Sequence, residues 1–176
     1  SKCLWLDGAL CPMNIQRATP FQEIKSFAQP LVPAQMASFV SLFLKAETVR
    51  KFGLPIKEFF IWTDDWEFTR RISRALPSYV IADSTVVHAM KENKESNIAI
   101  DSSERINRYY YAFRNEAYVF RREGIHGMLY YYLKCFWNVV RILICGKNNR
   151  ILRWRCIFKA INEQKAFYPL IEYLKA

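Results

Sequence analysis

Hydrophobic and polar positions follow no sustained period over residues 1–36, where Pro12, Pro20, Pro30 and Pro33 interrupt short apolar pieces, so this stretch reads as irregular with at most one short helix. Residues 37–44 are apolar almost throughout, which predicts a strand buried on both faces. Residues 46–52 predict a short helix that Gly53 ends in a left-handed conformation, with Pro55 as a stop. The run Phe59-Phe60-Ile61-Trp62 predicts a short buried strand. It delivers the chain to a helix over about 64–75, with Asp64 as N-cap and Glu67 closing a capping box. Two further strands are expected at 79–82 and 85–88, followed by a polar, mobile loop over 89–101.

From Asp101 the period becomes helical. Asp101 and Glu104 stand at capping-box spacing, and the pattern runs on to about Glu123, with Tyr110, Phe113, Ala117 and Phe120 on one face. Gly124 and Gly127 are expected to end this helix. A second helix is predicted over 128–145, a turn over 146–149, and a third helix over 150–163. Lys134 and Arg141 interrupt the apolar residues of the second helix and share one of its faces, so it reads as lying along an interface rather than crossing a bilayer.

Charge separates the two parts. Residues 1–100 carry 12 basic and 10 acidic side chains, whereas residues 101–176 carry 14 and 6 together with 16 of the 28 aromatics. The whole chain, 176 residues at a net charge of +10 and 52% hydrophobic, is too apolar for disorder and suits an anionic partner. Cys3, Cys11, Cys135, Cys145 and Cys156 form no CxxC pair, which argues against a zinc ribbon or a disulfide framework and for a reducing compartment. The last three fit apolar helix faces and are expected to be buried. The opening on Ser1, running straight into an apolar piece, reads as the back end of a longer protein.

One constellation in the first hundred residues suits chemistry: Asp64 and Asp65, where an apolar run meets a helix N-terminus that orients carboxylates, with His88 at the end of a later strand. On spacing alone Asp64 caps the helix, Asp65 is solvated and Glu67 completes the box. Trp62 and Trp66 flank the pair and suit stacking on a sugar ring, although Trp62 within its Phe and Ile run also suits a core. Arg70 and Arg71 read as a solvated helix face.

The ordered string Ser38-Phe39-Val40, Lys51-Phe52-Gly53-Leu54-Pro55, Glu58 through Phe68 with Asp64-Asp65, Val87-His88, Tyr109-Tyr110-Tyr111 and Arg114-Asn115 resembles the second half of family 2 glycosyltransferases, nearest the rhamnosyl- and galactofuranosyltransferase branch. The resemblance covers about residues 36–122. It implies an α/β class: the C-terminal, acceptor-side half of a GT-A (Rossmann-like) domain over residues 1–100, followed by an amphipathic, basic helical tail over 101–176. It further implies an inverting transfer from a nucleotide-sugar donor to a glycan or lipid-linked acceptor in cell-surface polysaccharide synthesis. Asp65 would be the general base, with Asp64 and Glu67 as acidic neighbours and Trp62 and Trp66 against the acceptor. A divalent metal, Mn or Mg, would be held by an Asp-x-Asp motif with His88. No Asp-x-Asp occurs in this chain, and no nucleotide-binding βαβ unit precedes residue 36, so the chain alone is expected to be inactive.

In the tail, Lys134, Arg141, Lys147, Arg150, Arg153 and Arg155 interleave with aliphatic residues and Trp154. This pattern suits docking on an anionic bilayer, at the inner face of the cell membrane for a cytoplasmic enzyme with a lipid-linked acceptor. The competing reading is a non-catalytic basic module for membrane or nucleic acid. Nucleic acid is the weaker of these partners, since no helix-turn-helix spacing, RNP string or zinc-finger pairing occurs.

Overall fold

A computed structural model describes residues 1–146 and 148–174. The chain mixes helix and strand and divides into two units. One comprises Ser1–Pro55, Asp65–Glu95 and the segment from Ile171; the other comprises Ile56–Asp64 and Ser96–Leu170. The division after Glu95, with 56–64 grouped among the helices, differs from a simple break at residue 100.

The first unit begins with β1 (Lys2–Leu4), β2 (Arg17–Thr19), β3 (Gln22–Glu23) and β4 (Leu31–Pro33). It continues with α1 (Ala46–Phe52), α2 (Asp64–Ser73, whose first residue counts with the other unit), β5 (Tyr79–Ile81) and β6 (Thr85–Val87). Its strands form three pairs: β1 parallel to β6, with Cys3 opposite Val86; β2 antiparallel to β3; and β4 antiparallel to β5, with Val32 opposite Val80. Four strands thus lie in the stretch expected to be irregular. They are two or three residues long, too short to show a period; Pro20, Pro30 and Pro33 sit at or beside their ends, and Pro12 opens a 3-10 turn over Pro12–Asn14. Ile24, Ala34 and Val80 form a small core cluster, with Phe27 and Val32 against it.

Residues 37–44, expected as a buried strand, instead form a bend and turn over 39–41 flanked by irregular backbone. Ser41 is left-handed (φ 60°) and Phe43 is 95% exposed. α1 has the expected limits. Gly53 ends it at φ 80°, its N–H donating to Val49 O (2.9 Å), and a Cβ there would collide with Ile171 and the Glu172 carbonyl. Glycine is therefore required by both backbone and packing.

The second unit is built on α3 (Ile106–Arg121), α4 (Gly124–Cys145) and α5 (Arg150–Glu163). Its core is the cluster of Ile98, Ile106, Phe113, Phe120, Tyr131, Ile142 and Ile157 with their neighbours. Asp101 organises the start of α3 differently from a capping box. It accepts from Tyr109 Oη (2.9 Å) and pairs with Arg105 (3.2 Å), and a 3-10 turn at Ser103–Arg105 precedes the helix. Gly124, at φ 71°, begins α4 rather than ending α3, and Gly127 lies within α4. A Cβ at Gly127 would strike the Phe120 carbonyl, so this glycine permits close approach of α4 to the end of α3. At 22 residues α4 is about 33 Å long. It is the one helix among the described residues long and apolar enough to cross a membrane by length and composition.

Residues 59–62 are likewise not a strand. A 3-10 turn at Lys57–Phe59 leads into Phe60, Trp62 and Thr63, all at positive φ (62°, 61° and 69°). A buried carboxamide from α3 supports this conformation: Asn115 Nδ2 donates to the carbonyls of Phe59 (2.9 Å), Trp62 (2.9 Å) and, more weakly, Ile61 (3.3 Å). Beside it, Arg114 lies over the Phe167 ring at 3.8 Å.

Candidate functional site

Within the first unit, a hydrogen-bonded set joins the segments that carry the resemblance. Asn14 Nδ2 donates to Ser38 Oγ (2.8 Å), which leaves Asn14 Oδ1 to accept from His88 Nδ1 (2.8 Å). The neighbouring Ala37 amide donates to Thr69 Oγ1 (3.0 Å), and that hydroxyl donates to the Asp65 carbonyl (2.7 Å). Phe39 packs edge-on against Phe68 at 5.8 Å. Residues 37–39 thus lie against α2, within a turn of Asp65 in the helix, and bond through Asn14 to His88.

Asp65 is half-buried, and its Oδ1 accepts the Trp66 amide (2.8 Å), one of the first-turn N–H groups that a helix leaves unpaired. Such a carboxylate is oriented by the backbone and placed where the helix dipole favours negative charge. Asp64 is the first residue of α2, also half-buried.

Three of the expected roles change. Glu67 is buried and paired with Arg71 (2.9 Å), whose guanidinium also donates to the carbonyls of Phe52 and Leu54. This carboxylate secures the end of α1 and does not face solvent, and Arg71 is not a solvated helix face. Trp66 has the buried Arg17 guanidinium stacked 4.7 Å from its ring, which occupies a face a sugar would need. Trp62, in the second unit, meets Tyr109 edge-on at 5.0 Å beside the core cluster, as the core reading has it.

His88 stands among soft donors. One ligand atom from each of Cys3, Cys11 and His88 lies within 4.8 Å of the others. Burial, together with a hydrogen bond to Cys11, pushes the Cys3 thiol up to about 12. Mn2+ and Mg2+ take oxygen ligands, and this trio offers no carboxylate, so it does not fit the hard divalent ion that the resemblance implies.

The first unit also holds a cleft of about 670 Å3. Its walls are largely apolar, from Val40, Leu42, Leu44, Ile72 and Leu76, with Ser38, Lys45 and Thr69 as polar points. Neither Asp65 nor His88 lines it. The expectation that both face one open cleft is not met there.

The basic tail is also rearranged. Arg153 is 2% exposed, and its guanidinium donates to the carbonyls of Asn148 (2.8 Å), Asp101 (2.8 Å) and Ile98. It fastens residues 98–101 to the turn before α5 and cannot meet a bilayer. Lys134 pairs with Glu116 at 2.6 Å, which cancels its charge. Trp154 is half-buried, with Nε1 donating to Val139 O (3.3 Å). Arg141 is half-buried, Arg150 and Arg155 are exposed, and Lys147 lies outside the described residues.

On α4, Tyr131, Cys135, Asn138 and Ile142 point inward, whereas Ile125, Leu129, Leu133, Phe136, Trp137 and Ile144 are each more than half exposed. Cys145 is exposed as well, unlike Cys135 and Cys156. This continuous apolar face was not evident from spacing, because α4 is apolar on both sides and periodicity alone does not tell which side packs. No family model, no curated protein and no solved structure matches this chain.

Proposed function

We propose that the chain is the acceptor-side portion of an inverting glycosyltransferase with a GT-A fold, in which Asp65 is the general base. The observation that carries this reading is the hydrogen-bonded set in the first unit: Ser38, the first turns of α2 and His88 are distant in sequence and belong to the resembling motifs, and Asn14 and Thr69 tie them together. In the reaction, the Asp65 carboxylate takes the proton of an acceptor hydroxyl as its oxygen bonds to the anomeric carbon. The bond from that carbon to the diphosphate oxygen breaks, and the nucleoside diphosphate leaves with the electron pair. Since the 670 Å3 cleft does not include Asp65, the site in this reading is completed by donor-side residues. Any Mn or Mg ion would take its carboxylate ligands from outside the trio at His88.

The helical unit adds the membrane part of the proposal. The exposed apolar face of α4, with Arg141, Arg150 and Arg155 near its C-terminal end, suits the headgroup boundary of an anionic leaflet. Docking there brings the enzyme to a lipid-linked acceptor at the inner face of the cell membrane.

The test is Asp65→Asn in the intact protein, read as nucleoside diphosphate released from a panel of nucleotide sugars with an acceptor lipid extract. A loss of about a hundredfold or more with the fold retained is expected. Unchanged turnover removes Asp65 from the role and favours the non-catalytic binding module.

A further inference from the structure

The turn after β1 folds back on itself. Leu4 bridges Leu10 in antiparallel fashion, the Trp5 N–H donates to Ala9 O (2.8 Å), and the Cys11 N–H donates to Cys3 O (3.0 Å). Cys3 and Cys11 therefore lie opposite one another, at 2% and 0% exposure. The parallel pairing of β1 with β6 sets Leu4 beside Val87, and the His88 amide donates to Leu4 O (2.8 Å). The imidazole is thereby delivered to the two thiols.

We propose that Cys3, Cys11 and His88 form a binding site for a thiophilic metal ion of the Zn2+ class, which fastens the 5–10 turn to the end of β6. Three properties carry this. The donors are two sulfurs and an imidazole, the set that zinc takes and hard cations do not. Their ligand atoms are already within 4.8 Å of one another; a tetrahedral site with Zn–S bonds of about 2.3 Å places its donors about 3.8 Å apart, so closure needs about 1 Å of side-chain adjustment.

The third property is the orientation of the ring. Asn14 Nδ2 is committed to Ser38 Oγ, and Asn14 Oδ1 accepts from His88 Nδ1, so the neutral imidazole carries its lone pair on Nε2. A partner that fixes the tautomer of a ligating histidine is the usual outer support of a metal site. Binding releases two thiol protons, and two thiolates with one divalent ion give a neutral site, which suits its burial. The fourth position is left to water on the side of the half-buried His88. None of this rests on the glycosyltransferase reading.

The experiment is a titration of the intact, reduced and metal-stripped protein with Co2+, followed by competition with Zn2+. One equivalent per chain, with thiolate charge-transfer and intense tetrahedral ligand-field bands that Zn2+ abolishes, is the expected result. In urea just below the unfolding midpoint, where the buried thiols of the metal-free protein open to reagent, zinc should also protect Cys3 and Cys11, but not the exposed Cys145, from alkylation mapped by peptide mass. The bands should survive Cys145→Ser and vanish in Cys11→Ser and in His88→Phe.

Asn14→Ala keeps all three ligands and should weaken binding roughly tenfold to a hundredfold. The proposal is overturned if the wild-type protein shows no thiolate band, if the band persists in Cys3→Ser/Cys11→Ser, or if Cys3 and Cys11 are recovered joined as a disulfide. Should the cysteine variants fail to fold, the wild-type spectrum and the alkylation map decide.

Discussion

Trp62 holds a positive φ while its carbonyl accepts a 2.9 Å hydrogen bond from the Asn115 carboxamide, whose other N–H reaches the Phe59 carbonyl at the same distance. One buried side chain on α3 thus satisfies the turn that leads directly into Asp64 and Asp65. Asn115→Leu keeps the volume but leaves these carbonyls without a donor, so it should lower stability by about 2–3 kcal/mol. Urea denaturation checks this. A change below about half a kcal/mol would mean that the turn does not depend on residue 115.

The acidic residues of α2 should separate by experiment. Glu67 is a buried partner of Arg71 at 2.9 Å, and removing it takes the carboxylate away from a guanidinium that is itself largely buried. Glu67→Ala is expected to cost about 3–5 kcal/mol in urea unfolding. Asp65→Asn, at a half-buried position, should stay within about 1 kcal/mol of wild type while abolishing transfer. Equal destabilisation by the two would show that Asp65 is a structural residue.

The α4 face gives a membrane prediction independent of catalysis. Replacing Phe136 and Trp137 with Ser removes apolar groups that are 66% and 57% exposed, so the fold should be unaffected. Partition onto phosphatidylserine-containing vesicles should fall by at least tenfold, each side chain contributing about 1.5–3 kcal/mol when buried in lipid. Arg150→Gln and Arg155→Gln should each weaken binding by about 1 kcal/mol, in a salt-sensitive way. Flotation assays read both effects, and unchanged flotation of the Phe136/Trp137 variant would sink the docking model.

Alkali should act on the helical unit through its thiols. Burial pushes Cys135 up to about 12 and Cys156 up to about 11, against an ordinary value of 9.0. Below pH 9 both states keep these protons and the stabilisation is complete. Above it the unfolded chain ionises while the folded chain does not, so stability falls as pH rises until the folded-state values are passed. Urea midpoints measured between pH 8 and about 11 should therefore decline, and Cys156→Ala should flatten the decline.

The elements most legible in the sequence are those whose signals are local. α1 and α5 have the expected limits, and β5 and β6 lie where short β-branched runs predicted strands. The misreadings share one cause, dependence on distant partners. Residues 59–62 look like a strand until Asn115 is seen to hold them in a turn. Gly127 looks like a terminator until the close approach to Phe120 accommodates it within α4. Arg153 counts as one more tail cation because composition does not register that three carbonyls enclose it. Cys3, Cys11 and His88 make no spacing motif, and only the β1–β6 pairing assembles them. Of the candidate site, Asp65 and His88 were readable as residue types at element ends, whereas Asn14 and Thr69, which connect their surroundings, carry no signal in the sequence.

The positive φ at Phe60, Trp62 and Thr63 also bears on how the protein assembles. Non-glycine residues at positive φ cost about 1–3 kcal/mol each, and the compensating donor is more than fifty residues downstream. On a nascent or refolding chain the segment has no local reason to adopt its native path until α3 has docked. Its native path, and the backbone that leads into the acidic pair, therefore rests on a contact between residues far apart in sequence and cannot be complete before α3 has formed.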